Sequence, residues 1–116
     1  VNYEKVLASE SAPVELRLQA RYKSGRCREK MGQVQEAFDL YMQVVYAHRR
    51  AMEQGEPGAP LWFSRAALNA AAIAEQREQW REAISIYRHL LTGDDATAAD
   101  AQKRIQAIRL EHWLLF

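Results

Sequence analysis

The chain repeats one pentapeptide pattern three times, as Tyr3-Glu4-Lys5-Val6-Leu7, Tyr41-Met42-Gln43-Val44-Val45 and Tyr87-Arg88-His89-Leu90-Leu91. Each copy has a tyrosine, two variable residues and then two aliphatic residues. Successive tyrosines lie 38 and 46 residues apart. Self-similarity on this scale predicts stacked copies of one supersecondary unit, because each copy buries a face that it cannot bury alone. The pattern therefore favours a repeat protein whose stack offers a continuous groove to a partner.

Length and composition describe an ordinary globular protein. The 116 residues suffice for one domain, and 48% are hydrophobic while 27% are charged. A net charge of +1 argues against a general nucleic-acid binder or a polybasic membrane module. No run approaches the roughly 18 apolar residues of a membrane helix, so we expect no membrane insertion. Because the chain begins with Val1 inside a copy of the repeated pattern, we interpret it as a fragment of a longer protein.

Apolar residues recur at helical spacing along nearly the whole chain, which predicts an all-α fold without a sheet. Gly32 and the glycine- and proline-rich loop at residues 55–60 separate the helical segments, and this loop accounts for the longer second spacing. Residues 2–9 read as the back half of a helix. The remaining helices are predicted at residues 14–31, 34–54, 61–77, 80–91 and 97–116.

The segment from residue 22 to residue 41 resembles a tetratricopeptide repeat. The features that carry the resemblance are a small residue, a turn glycine, a bulky residue, a Glu-Ala pair and a tyrosine, here Gly25, Gly32, Val34, Glu36-Ala37 and Tyr41. A second copy follows 46 residues later, as Ala71, Glu78, Trp80, Glu82-Ala83 and Tyr87. Only the turn glycine is replaced, by Glu78. We therefore expect Gly25 and Ala71 to lie where the two helices of each repeat cross closely.

The resemblance implies a right-handed α-α superhelix of helical hairpins with a C-terminal capping helix. It divides the single domain into a half repeat at residues 1–10, repeats at residues 14–54 and 61–91, and a terminal capping helix at residues 97–116. The implied function is a non-catalytic scaffold that binds a protein or peptide segment in a concave groove. Two alternatives are a homo-oligomerisation or assembly domain that uses the apolar C-terminal helix and a helical regulatory part of a larger enzyme.

A looser likeness concerns the compartment. Residues 88–91 and 100–105 resemble the end of bacterial cell-envelope repeat proteins, which suggests the periplasm or the cell envelope.

The first predicted helix has an uneven charge balance, with six cations against Glu15 and Glu29. In the family that the chain resembles, the first helix of each repeat lines the groove. The matching positions form the predicted partner-binding groove: Tyr22, Lys23, Arg26, Lys30, Arg65, Leu68 and Asn69. Arginine and asparagine can clamp a carboxylate or a peptide backbone, and tyrosine supplies rigid contact area. The alternative is a solvated basic face.

Catalytic and metal-binding patterns are missing from the sequence. Cys27 has arginine neighbours, but we interpret it as a small buried residue at a helix crossing rather than a nucleophile. His48, His89 and His112 are far apart and have no carboxylate at ligand spacing. We expect His48 at a helix end, where a positive charge favours the helix dipole. The sequence thus predicts no enzyme, no cofactor and no metal.

The chain ends in the apolar run Trp113-Leu114-Leu115-Phe116. We interpret this run as part of a terminal helix that folds onto the second repeat and covers it. The alternative is an exposed contact patch for a partner or a second copy, formed by Trp113, Leu114 and Phe116.

Overall fold

The computed structural model of the chain describes residues 13–92 and 96–115, and these residues form five α-helices and no strand. The helices are α1 (Val14–Lys30), α2 (Val34–Glu53), α3 (Pro60–Gln76), α4 (Trp80–Arg88) and α5 (Ala96–Glu111). Single 3₁₀ turns follow α4 at His89–Thr92 and α5 at Trp113–Leu115. The all-α prediction is confirmed. The half repeat predicted at residues 1–10 lies outside the described residues.

Two compact units make up the chain, Val1–Ala66 and Ala67–Phe116. In the first unit α1 packs against α2, and α2 buries an apolar stripe that includes Tyr41, Val44 and Val45. In the second unit α4 packs against α5. The largest fully buried side chains are Tyr41, Val44 and Val45 in the first unit and Ile108 in the second.

Gly25 lies at a close crossing between α1 and α2, as the sequence predicts. A Cβ atom at this position would lie 2.7 Å from Cε1 of Tyr41, which is closer than a carbon pair can approach without a shift. Ala71, at the corresponding position 46 residues later, is fully buried. Packing therefore requires glycine at position 25, because α1 has no room there for even a methyl group.

The ends of α1 and α3 have the same backbone geometry. After α1, Gly32 has a φ of +80° and the amide of Gln33 donates to the carbonyl of Arg28 over 2.9 Å. After α3, Glu78 has a φ of +58° and the amide of Gln79 donates to the carbonyl of Ala74, also over 2.9 Å. Both are Schellman helix ends, which favour glycine in the left-handed position. The turn is therefore kept in the second copy although its glycine is lost.

Replacing Glu78 with glycine is expected to stabilise the protein by up to about 1 kcal/mol. The left-handed conformation costs a residue with a Cβ about 1–2 kcal/mol, and the greater freedom of glycine in the unfolded chain offsets part of the gain. Chemical denaturation measures the change. Glu78→Ala is the matched control, because it removes the same charge and keeps the Cβ; an equal gain in the alanine variant would contradict the backbone explanation.

Two sequence predictions about single residues are wrong. Cys27 is exposed rather than buried, because it lies two residues beyond Gly25 and thus about 200° around α1 from the crossing. His48 is buried within the first unit instead of serving as a charged helix end. Its Nδ1 accepts a hydrogen bond from the amide of Ala59 over 2.9 Å, and its ring stacks on Phe63 with 4.3 Å between centroids. Burial lowers the pKa of His48.

Candidate partner-binding surface

Trp62, in the first turn of α3, lies between two of the predicted groove cations. The ring is only 8% exposed. Nζ of Lys23 lies 5.7 Å from its centroid and Cζ of Arg65 lies 5.1 Å from it. These distances are within the range of cation–π attraction. The structure therefore brings together Lys23 and Arg65, which are 42 residues apart in the sequence.

Tyr22 joins this tryptophan to the core of the first unit. Its ring centroid is 5.7 Å from that of Trp62 and 5.6 Å from that of Tyr41, with tilted planes in both pairs. Such tilted pairs are a favourable arrangement of aromatic rings. We call Tyr22, Lys23, Trp62 and Arg65 the Trp62 cluster. Because Tyr41 is fully buried, the cluster rests on a rigid base.

The other predicted groove residues divide between the two units. Arg26 and Lys30 are exposed and lie three and seven residues after Lys23, on the same face of α1. Leu68 and Asn69 belong to the second unit, where Leu68 is exposed and Asn69 half-buried. Their part in a binding surface stays a prediction. Trp62 was not predicted from the sequence, because the position 46 residues earlier is Leu16 and the alignment of the two copies therefore gives this tryptophan no aromatic counterpart in α1.

In the two described copies of the repeat, the tyrosine donates a hydrogen bond to a glutamate on the preceding helix. The hydroxyl of Tyr41 donates to Glu29 over 2.7 Å, and that of Tyr87 donates to Glu75 over 2.5 Å. Both pairs are 12 residues apart, so the two bonds are equivalent. Neither glutamate was predicted from the sequence. The signal was present, since Glu29 and Glu75 are separated by the same 46 residues as the tyrosines.

In the second unit, Arg104 on α5 joins the pair of Tyr87 and Glu75. Its Nε donates to both carboxylate oxygens of Glu75, over 2.9 and 3.1 Å. Burial opposes ionisation of Glu75, but the hydrogen bonds from Arg104 and Tyr87 outweigh it and lower the pKa of the carboxyl. Burial and the bond to Glu75 raise the pKa of Tyr87. At neutral pH Glu75 is thus an ionised carboxylate that accepts hydrogen bonds from Tyr87 and Arg104. These bonds connect α3, α4 and α5.

Two contacts join the C-terminal end of the described chain to α4. The ring of His112 stacks on Trp80 with 3.9 Å between centroids, and Nη2 of Arg81 donates to the carbonyl of Leu115 over 2.5 Å. Trp113 and Leu114 remain 68% and 80% exposed. The expectation that these side chains are buried against the second repeat is wrong, because α5 ends at Glu111 and its own residues Ala101, Ile105 and Ile108 already supply the buried face. Phe116 lies outside the described residues.

Two further classes of site can be assessed for the described part of the chain. No group of three or more histidine, cysteine, aspartate or glutamate side chains is placed there to hold a metal ion. In residues 13–92 and 96–115, no helix combines the length and the apolar character needed to cross a membrane.

Residues 19–50 match the family model of the tetratricopeptide repeat. The matched segment covers most of α1 and α2, and so includes Gly25, Gly32 and Tyr41 at the positions described above. Repeats of this family generally mediate protein–protein interaction and are typically non-catalytic. Neither a search of curated proteins nor a search of solved structures returned a significant match.

Proposed function

We infer, from the premise that residues 19–50 form a tetratricopeptide repeat, that the chain is a non-catalytic scaffold that binds a segment of another protein. The observation that carries the proposal is the Trp62 cluster, in which two cations flank one aromatic ring. Arg26 and Lys30 extend the cationic surface along α1. Tryptophan and arginine are the residues that most often dominate the binding energy of protein interfaces.

The chemistry of this surface favours a partner segment that carries carboxylates. Lys23, Arg26, Lys30 and Arg65 provide four positive charges on a chain whose net charge is only +1, so the local bias is not a consequence of overall basicity. Guanidinium groups bind carboxylates with two parallel hydrogen bonds. The half-buried ring of Tyr22 next to them offers apolar area to the backbone and side chains of an extended segment.

The proposal is tested with peptides selected by display on the immobilised protein. We expect the selected peptides to be rich in aspartate and glutamate. The double variant Arg26→Glu, Arg65→Glu is expected to bind the best of them at least tenfold more weakly, with a reduced dependence on salt, as fluorescence anisotropy would show.

The matched control is Arg88→Glu with Arg109→Glu, which reverses two exposed arginines of the second unit. If the first double variant melts normally and binds as tightly as the control, the surface around Trp62 is not the binding site.

The exposed C-terminal side chains support a second proposal, self-association of the chain. Leu110, Trp113 and Leu114 are each more than two-thirds exposed, and clustered apolar side chains of this kind are typical of interfaces. We expect sedimentation velocity to show a dimer that Trp113→Ser with Leu114→Ser dissociates, whereas the control Leu16→Ser, at an exposed leucine of α1, leaves it intact. A wild-type monomer at 100 μM would refute self-association.

A regulatory role in a larger enzyme and a location in a bacterial envelope stay predictions.

A further inference from the structure

A second cationic site lies within the first unit, away from the Trp62 cluster. A cavity of about 210 Å³ opens between α1 and α2, and its polar lining includes Arg17 and Arg21 from α1 and Arg50 from α2. Leu18 and Ala51 contribute apolar lining. None of these residues belongs to the Trp62 cluster. We call this site the arginine cavity.

The positive charges of the arginine cavity are poorly compensated in the described part of the chain. Nε of Arg17 is buried there without a hydrogen-bond partner. Burial lowers the pKa of Arg21, and the charges of Arg17 and Arg50 lower it further. Glu56 also lines the cavity, but no ion pair joins it to the three arginines among the described residues. The fold therefore holds a buried donor and mutually repelling cations, both of which are unfavourable until an anion is bound.

We propose that the arginine cavity binds a phosphate-type oxyanion. Three guanidinium groups and the carboxylate of Glu56 give the cavity a local charge of about +2, which a phosphate dianion would neutralise. The forked donors of arginine match the oxygen spacing of a phosphate, and phosphate offers enough oxygens for more than one guanidinium. A singly charged carboxylate would neutralise only half of the excess positive charge of the cavity. The phosphate group is either the free ion or a phosphoryl ester on a partner chain.

The buried Nε–H of Arg17 provides a site-specific signal for the test. Inorganic phosphate is titrated at constant ionic strength while ¹H–¹⁵N spectra follow this resonance. We expect a saturable shift together with a rise in the melting temperature. Arg50→Gln is expected to weaken phosphate binding at least fivefold. The neighbouring Arg49→Gln is the matched control, since Arg49 is exposed like Arg50 but does not line the cavity.

The source of the phosphate group is resolved by a second titration with N-acetyl-O-phosphoserine amide. Binding comparable to that of inorganic phosphate assigns the cavity to phosphoryl esters, and binding of inorganic phosphate alone assigns it to the free ion. The proposal is overturned if the Arg17 signal does not saturate, if acetate or chloride produces the same response, or if Arg50→Gln and Arg49→Gln bind phosphate equally.

A third variant separates a ligand site from a purely structural group. Arg21→Met keeps the aliphatic stem and removes a repelling charge. We expect it to melt at a higher temperature than the parent without phosphate and to lose the stabilisation by phosphate. A lower melting temperature without phosphate would mean that the arginines serve the fold, and would contradict the proposal. These results do not bear on peptide binding by the Trp62 cluster.

Discussion

Replacing Gly25 with leucine is expected to destabilise the protein by about 3 kcal/mol, since the new side chain must displace a fully buried ring. Its Cβ alone would lie 2.7 Å from Cε1 of Tyr41, and that tyrosine cannot move without losing its bond to Glu29. The better helix propensity of leucine offsets only about 1 kcal/mol. Thermal and chemical unfolding measure the loss.

The matched control is Cys27→Leu, two residues along the same helix at an exposed position. It inserts the same side chain into α1 without touching α2, so we expect a change within about 0.5 kcal/mol. Equal stability of the two variants would show that the crossing is not closely packed. At the corresponding place in the second unit, Ala71→Leu is expected to cost about 1–3 kcal/mol.

Glu75→Ala is expected to cost about 2–3 kcal/mol, because it leaves the buried hydroxyl of Tyr87 without its acceptor and removes the carboxylate that Arg104 binds. The side chain of Arg104 is 41% exposed, so solvent screens part of this pair and we take the lower end of the range for buried ion pairs. The free energy of unfolding in urea provides the measurement.

Glu29→Ala is the natural comparison, since Glu29 accepts the equivalent tyrosine bond and Arg104 binds Glu75 instead. We expect it to cost about 1 kcal/mol. The difference between the two variants isolates the contribution of Arg104. Equal losses would mean that the arginine adds nothing.

The contribution of Glu75 to the free energy of unfolding also depends on pH. Its pKa is lower in the folded protein than in the unfolded chain, so the unfolded state takes up protons first as the solution is acidified. The stabilisation is complete above the ordinary carboxyl pKa of about 4.5 and is lost as the pH falls through the lower folded value. The gap between the wild type and Glu75→Ala should therefore close in acid.

Much of this fold could be predicted from the sequence because its determinants are local. Helical periodicity predicts α1 to α4 to within a few residues of their ends, and the recurrence at 46 residues predicts the equivalent positions of Gly25 and Ala71. At Glu78 the glycine of the pattern is lost but the turn is kept. The hydrogen bonds of the helix end impose the left-handed conformation on a residue that does not favour it.

The features that could not be predicted depend on contacts between distant residues. Nothing local distinguishes Trp62 from an ordinary core aromatic, and only the fold brings Lys23 and Arg65 to its ring. His48 was misassigned for the same reason, since a loop 11 residues later supplies its donor from Ala59. At the C-terminus, apolar composition predicts burial, but α5 ends at Glu111 and Trp113 stays 68% exposed.

The stability of the first unit depends on pH through the buried imidazole of His48. Its pKa is lowered by burial, so between that value and the ordinary value of about 6.5 the folded protein stays neutral at this residue while the unfolded chain is charged. The stabilisation is present above pH 6.5 and is lost on acidification. A proton on Nδ1 would also break the hydrogen bond from the amide of Ala59 and place a positive charge next to the ring of Phe63. Phe63 precedes Arg65 of the Trp62 cluster by two residues in α3. The first unit would therefore lose stability in an acidic compartment through an uncharged histidine, without any carboxylate taking part.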